Sequence, residues 1–151
     1  MNVFVIGTPI ETAMVLDKKR LHKQIIECRQ ILDALNGKSK AWRYHPCTVQ
    51  YEDCQDWLIN YTDCLAAYIA GDIEQAKRAS AQADIFFKPL FHTEPYLDSM
   101  RRRLYTKAPE HYAQWEKWGT SDTNWYWSPT QETYIYYRNG KRVHYDENRT
   151  Y

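Results

Sequence analysis

The segment from Leu16 to Leu35 constrains the fold most strongly, because its apolar residues recur with the period of an α-helix. Leu21, Ile25, Cys28 and Leu32 are spaced four, three and four residues apart, so they form one apolar stripe along a helix. The five Lys and Arg residues that precede Leu32 in this segment lie largely off the stripe. The pattern predicts a long helix that buries one face and exposes a basic one.

Glu27 is the only acidic residue between Asp17 and Leu32. A helix places it one turn after Lys23 and two turns after Arg20, so the three side chains share one surface. The ordinary interpretation is a surface ion pair with Lys23, worth about 0.3 to 0.5 kcal/mol. The other interpretation is that Glu27 is a base in an anion-binding groove, where neighbouring cations keep its carboxylate ionised.

Cap residues divide most of the remaining chain into helices. Thr8, Pro9 and Glu11 form a capping box with proline at the first helical position, and Gly37 is suited to end the helical region that follows. Later helices are predicted from Pro46 to Gly71, from Asp72 to about Ala83, from Thr93 or Glu94 to Lys107, and between Pro109 and Gly119.

The two ends of the chain depart from this helical pattern. Met1–Ile6 is apolar without a helical signal, which predicts a short extended segment against the first long helix. The segment TYIYYRNGKRVHY places Asn139 and Gly140 between two β-prone runs, the pattern of a hairpin over about 133–145. We therefore predict a mainly α protein, a single compact helical domain over 1–151 with a short N-terminal extended segment and a C-terminal β-hairpin.

Composition limits the partners and cofactors. The net charge is only +1, so an anionic partner would have to meet a local basic surface. The four cysteines contain no CxxC pair and no HxxEH motif is present, which favours reduced core thiols and gives no reason to expect a metal or another cofactor. No segment approaches the roughly 20 apolar residues that cross a bilayer. The aromatic content of 15% concentrates after Tyr112, where it suits base stacking, a packed core or a protein interface.

Three motifs occur in an order and spacing that resemble a known family. They are LDKKRLHKQIIECRQILDAL, then AWRYHP, then YLDSMRRRLYTKAPEHY. Together they resemble the pyrimidine-dimer DNA glycosylases of phages and bacteria (the endonuclease V type) over roughly Met1 to Tyr112. The chain departs from the family pattern at Gln50, Met100 and Ala108, and the hairpin after Gln131 does not match it. The resemblance divides the chain into a glycosylase-like helical core over 1–118 and an aromatic tail over 119–151.

The resemblance implies a base-excision enzyme that acts on a damaged or modified pyrimidine in double-stranded DNA. In such enzymes a terminal α-amine attacks C1′ of the damaged nucleotide, the base leaves, and the imine permits AP-lyase cleavage by β-elimination. Glu27 matches the carboxylate that stabilises positive charge at C1′ and moves protons. Removal of an initiator methionine requires a small second residue, so Met1 is expected to stay ahead of Asn2. Met1, Asn2, Glu27 and Arg20 form the implied catalytic set.

Further residues are candidates for contact with DNA. They are Lys19, Lys23, Arg43, His45, Arg103 and Lys107. Each has an ordinary alternative, which is a solvated helix face for the cations and a helix cap for His45. We predict that Lys19, Arg20 and Lys23 converge on one groove with Arg103 and Lys107. The three arginines at Arg101–Arg103 spread around a helix, so at most two can face one ligand.

Two other functions fit the same sequence. One is a nucleic-acid-binding protein without catalysis, which would use the same basic helix. The other is a phage-type protein that binds a host protein through its Tyr- and Trp-rich tail, since these residues dominate interface hot spots. In each case we expect a monomer without a membrane partner, in the cytoplasm of a bacterial or phage-infected host cell.

Overall fold

The computed structural model describes every residue from Met1 to Tyr151. It confirms a mainly α fold with a small antiparallel sheet near the C-terminus. The helices are α1 (Pro9–Val15), α2 (Lys18–Leu35), α3 (Pro46–Val49), α4 (Gln55–Ile69), α5 (Ile73–Phe86) and α6 (Glu94–Lys107), followed by a 3₁₀ helix (Ala113–Trp118). The strands are β1 (Thr123–Ser128), β2 (Thr133–Arg138) and β3 (Lys141–Val143), in that order across the sheet.

Local capping determines where several helices begin, as the sequence predicts. The Thr8 hydroxyl accepts the Glu11 backbone N–H at 3.2 Å and donates to the Glu11 carboxylate at 2.8 Å. Asp72 accepts the Gln75 N–H at 3.1 Å at the start of α5. His45 Nδ1 accepts the Cys47 N–H at 3.1 Å and thereby caps α3. Each contact satisfies a backbone donor that has no partner inside its helix.

The helix predicted from Pro46 to Gly71 is interrupted, because α3 ends at Val49 and α4 begins at Gln55. Gln50 is buried at the break, and its Oε1 accepts the Trp127 backbone N–H of β1 at 3.0 Å. Tyr51 is also buried and stacks on Trp57 with ring centroids 5.7 Å apart. These tertiary contacts prevent residues 50–54 from continuing the helix. No local sequence signal predicts this break.

Strand β1 was not predicted. The predicted hairpin forms from β2 and β3 around Asn139 and Gly140, which have φ values of 51° and 75°. β1 extends this hairpin by pairing antiparallel with β2, with Trp125 opposite Tyr136. The strand joins the sheet to the helices, because Tyr126 between its two tryptophans is buried in the main core.

The extended N-terminal segment, Met1–Ile6, is held by side chains and not by backbone pairing with a strand. Gln24 of α2 donates from Nε2 to the Asn2 carbonyl at 2.7 Å, and its Oε1 accepts the Phe4 N–H at 2.9 Å. The Tyr61 hydroxyl of α4 donates to the Phe4 carbonyl at 2.6 Å. Because buried backbone groups need partners, this amide clamp fixes the position of the N-terminus on α2.

His92 gives the fold a specific sensitivity to acid. It is buried, its Nε2 lies 3.1 Å from the Tyr51 hydroxyl, and burial lowers its pKa to about 3. The unfolded chain binds a proton at His92 below about pH 6.5, whereas the folded chain does not until about pH 3. We expect a loss of about 2.5 kcal/mol in unfolding free energy between pH 6.5 and pH 4.5 from this residue.

Urea unfolding at several pH values measures this loss. The slope of the unfolding free energy against pH should be smaller in His92→Gln than in the wild type. It should stay unchanged in His22→Gln, since His22 is exposed. Equal slopes for wild type and His92→Gln would show that His92 is not the acid-sensitive group.

Candidate active site

Glu27 joins α2 to the N-terminal segment. Its side chain is 13% exposed, and its Oε2 accepts the Asn2 backbone N–H at 3.3 Å. Its Oε1 lies 3.5 Å from the Lys23 ammonium, whose side chain is 66% exposed. The carboxylate therefore makes the ion pair that helical spacing predicts and, at the same time, contacts the backbone next to Met1.

The first residue is placed by β1 and by the start of α3. The Tyr126 hydroxyl donates to the Met1 carbonyl at 2.9 Å, and the Tyr126 ring meets the His45 ring edge-on with centroids 5.7 Å apart. Burial first, and then the charge of the Met1 amine, lower the pKa of His45. The ring is thus neutral at pH 7, and because Nδ1 accepts the Cys47 N–H, the ring proton is on Nε2.

Lys107 of α6 lies within electrostatic reach of Glu27 and of three other cations from α2 and α6. Partial desolvation is the first cause that lowers the pKa of Lys107, although Lys107 is exposed as a whole residue. The positive charges of Arg103, Arg20 and Lys23 lower this pKa further, and Glu27 opposes them. We name Arg20, Lys23, Arg103 and Lys107 the cationic cluster. Lys19 is exposed on α2, and it is not among the charges that shift the pKa of Lys107.

Arg20 is positioned by the last part of the third sequence motif. Its guanidinium lies 3.1 Å from Asp17, which also accepts a hydrogen bond from the Tyr112 hydroxyl. Although burial opposes the shift, the hydrogen bonds from Tyr112 and Arg20 hold the pKa of Asp17 below its usual value. The neighbouring His111 Nε2 contacts the Val15 carbonyl at 2.9 Å. These contacts anchor the junction of α1 and α2.

The arginines of the third motif bind backbone carbonyls in three directions. Arg101 donates to Ile6 at 2.9 Å, Arg102 to Trp118 at 3.0 Å, and Arg103 to Ser121 at 2.7 Å. Each therefore fixes a segment of chain against α6. Arg103 alone of the three also belongs to the cationic cluster, and its buried Nε has no hydrogen-bond partner.

Arg43 differs from the other candidates for DNA contact. It forms an ion pair with Glu52 at 3.8 Å and lies over the Tyr44 ring at 5.7 Å. These contacts turn it toward an acidic neighbour, and no contact joins it to the cationic cluster.

Two residues that hold the site were not among the sequence candidates. Gln24 lies within the first motif, one residue after Lys23, and its position on the buried face of α2 was the available signal. Tyr126 lies in the run NWYW, where composition alone does not distinguish a residue that binds Met1 from one that fills the core.

A carboxylate against an extended N-terminus, surrounded by cations, is an arrangement suited to a DNA-directed enzyme of base excision. The comparison with protein families agrees, because residues 1–68 match the family described as pyrimidine dimer DNA glycosylase. This match confirms the resemblance over the first two motifs, whereas the third motif lies beyond the matched residues. The matched residues include Glu27, Arg20, Lys23 and His45, whereas Arg103, Lys107 and Tyr126 lie beyond them.

The other comparisons found no relative. No curated protein and no solved structure matches the chain. No helix combines the length and apolar character needed to cross a bilayer.

Proposed function

We propose that this protein is a DNA glycosylase that excises a damaged or modified pyrimidine from double-stranded DNA, using an N-terminal amine and Glu27. The observation that carries the proposal is the 3.3 Å contact between the Asn2 nitrogen and Glu27. It holds a largely buried carboxylate beside the chain terminus. The family match over residues 1–68 supports the same substrate class.

The reaction begins with attack of the terminal amine on C1′ of the damaged nucleotide. The bond between C1′ and the base breaks, and the base leaves with the bonding electrons and takes up a proton. Loss of the amine proton and opening of the sugar ring give an imine between the terminus and C1′. Glu27 stabilises the positive charge that develops at C1′ and accepts protons in these steps.

Strand cleavage follows from the imine. Loss of a proton from C2′ and departure of the 3′ phosphate oxygen constitute β-elimination, and we assign the removal of this proton to Glu27, whose carboxylate contacts the Asn2 nitrogen. Water then hydrolyses the imine and releases the amine. We therefore include AP-lyase activity in the proposal.

Two nitrogens compete for the role of nucleophile. In a chain that keeps Met1, the amine lies near His45, and no ion pair joins it to Glu27. In a chain that has lost Met1, the Asn2 nitrogen next to Glu27 becomes the amine. Since Asn2 is a poor second residue for methionine removal, we assign the role to the Met1 amine, which must move toward Glu27 when the lesion binds.

Covalent trapping tests the proposal. Incubation with ultraviolet-irradiated duplex and borohydride should reduce the imine and shift labelled DNA by the mass of the protein. Mass spectrometry of the trapped peptide then identifies Met1 or Asn2 as the attached residue. Absence of both a trapped complex and base release on any pyrimidine lesion would favour a nucleic-acid-binding protein without catalysis.

The aromatic tail offers little support for the third function, a protein-binding surface. Trp127 stacks on Phe91 with centroids 6.1 Å apart, and Tyr134 stacks on Tyr96 at 5.8 Å. Most tail rings are buried or half-buried, so they pack within the protein and leave little aromatic surface for a partner.

The cationic cluster is expected to bind the phosphates of the duplex. Lys107→Gln and Lys23→Gln should each weaken binding to damaged and undamaged duplex alike and make the salt slope shallower by about one unit per lost phosphate contact. Titrations at several salt concentrations measure both effects.

Lys77→Gln is the matched control, because Lys77 on α5 pairs only with Glu74 at 3.7 Å. Equal slopes for all three variants and the wild type would place the DNA on another surface.

A further inference from the structure

A cleft with a volume of about 1000 Å³ lies outside the proposed active site. Three segments enclose it, which are the break between α3 and α4, the loop between α5 and α6, and the turn between β1 and β2. No member of the cationic cluster lines this cleft, and neither Glu27 nor Met1 does. Its volume is at the upper limit of the roughly 300 to 1000 Å³ typical of small-molecule sites, so it has room for a segment of a larger partner.

Two large apolar side chains are exposed at the cleft. Leu90, in the loop between α5 and α6, is 96% exposed, and Phe86, the last residue of α5, is 72% exposed. Neither belongs to the hydrophobic core. Contiguous apolar side chains inside a polar rim are typical of a surface that binds another protein. Leu90 and Phe86 therefore gain burial only when something occupies the cleft.

The rim of the cleft is acidic. Asp53, Asp56 and Glu132 line it and are exposed, and none of them takes part in an ion pair. Lys88 is the only basic residue in the lining. Unpaired carboxylates repel the phosphates of DNA and attract cations. We name this site the acidic cleft, and its charge is opposite to that of the cationic cluster.

We propose that the acidic cleft binds a basic, apolar segment of another protein. Apolar side chains of the segment would cover Leu90 and Phe86, and its Lys or Arg side chains would lie beside the carboxylates of the rim. Both properties of the partner follow from complementarity, since an acidic or wholly polar segment would leave either the charges or the apolar side chains unmatched. The acidic cleft shares no residue with the proposed active site, so this binding does not depend on excision.

Selection of displayed random peptides on the wild-type protein tests the proposal. We expect the enriched peptides to combine Leu, Ile or Phe with Lys or Arg, and their synthetic forms to bind in the absence of DNA. Leu90→Ser and the double variant Asp53→Asn with Asp56→Asn should each weaken this binding by about tenfold or more. Because Leu90 is almost fully exposed, the thermal midpoint of Leu90→Ser should equal that of the wild type.

Ile26→Ser and Asp63→Asn are the matched controls, because both residues are exposed on helices and neither lines the acidic cleft. They should bind the peptides as the wild type does. Enrichment of acidic peptides, or failure to obtain any peptide that depends on the cleft, would overturn the proposal. A dimer that Leu90→Ser dissociates would assign the cleft to a second copy of the chain. Weaker binding of lesion duplex by the same variant would assign it to the substrate, and either result would also overturn the proposal.

Discussion

Replacing Glu27 with glutamine is expected to reduce base excision by roughly 10² to 10⁴, the usual range for a general acid or base. DNA affinity should hold or rise, because a negative charge near the phosphates is removed. The glutamine Oε1 can still accept the Asn2 N–H that Glu27 accepts at 3.3 Å, so the N-terminal segment keeps its position. Because Glu27→Gln removes the charge and keeps the geometry, it distinguishes a catalytic role of Glu27 from a structural one.

Single-turnover excision, duplex affinity and thermal midpoint should be measured on one preparation. Asp33→Asn is the control, since Asp33 is an exposed acid on the same helix. If Glu27 were only a partner of Lys23, the variant would lose at most about 0.5 kcal/mol of stability and keep its activity. Wild-type excision by Glu27→Gln would remove this carboxylate from the mechanism.

Replacing Gln24 with methionine is expected to reduce the free energy of unfolding by roughly 2 to 6 kcal/mol. Gln24 is almost fully buried and bonds the Asn2 carbonyl at 2.7 Å and the Phe4 N–H at 2.9 Å. Methionine fills a similar volume but leaves both backbone groups without a partner, and each costs about 1 to 3 kcal/mol. Excision should also fall, because the terminus is no longer fixed beside Glu27.

Urea unfolding measures the loss, and Gln30→Met on the exposed face of α2 is the control, expected within about 0.5 kcal/mol of the wild type. A Gln24→Met protein as stable as the wild type would show that the N-terminal segment does not depend on the amide clamp.

The parts of the fold that sequence predicted are those with local causes. Thr8 and Asp72 cap helices whose first donors lie three residues away, and Asn139 with Gly140 adopts the positive φ values of its turn. Strand β1 was missed because its partner β2 provides the reason for its extended backbone. The break at Gln50 was missed for the same reason, since its partner is Trp127.

The site shows the same division between local and distant causes. Helical spacing placed Glu27 beside Lys23, and an ion pair of 3.5 Å joins them. The proximity of Arg103 and Lys107 to this pair depends on how α6 packs, which the family resemblance suggested and periodicity could not. The role of Tyr126 depends on a contact across 125 positions of sequence.

That contact has a consequence for biosynthesis. Met1 and Asn2 precede all six α-helices in the chain, yet Tyr126 and Asn124, which bind them, are translated only after those helices. Contacts of such long separation form late because closing the intervening loop costs entropy. A nascent chain that ends before β1 therefore lacks the residues that hold Met1 and Asn2, and the proposed site forms only after β1 has been translated.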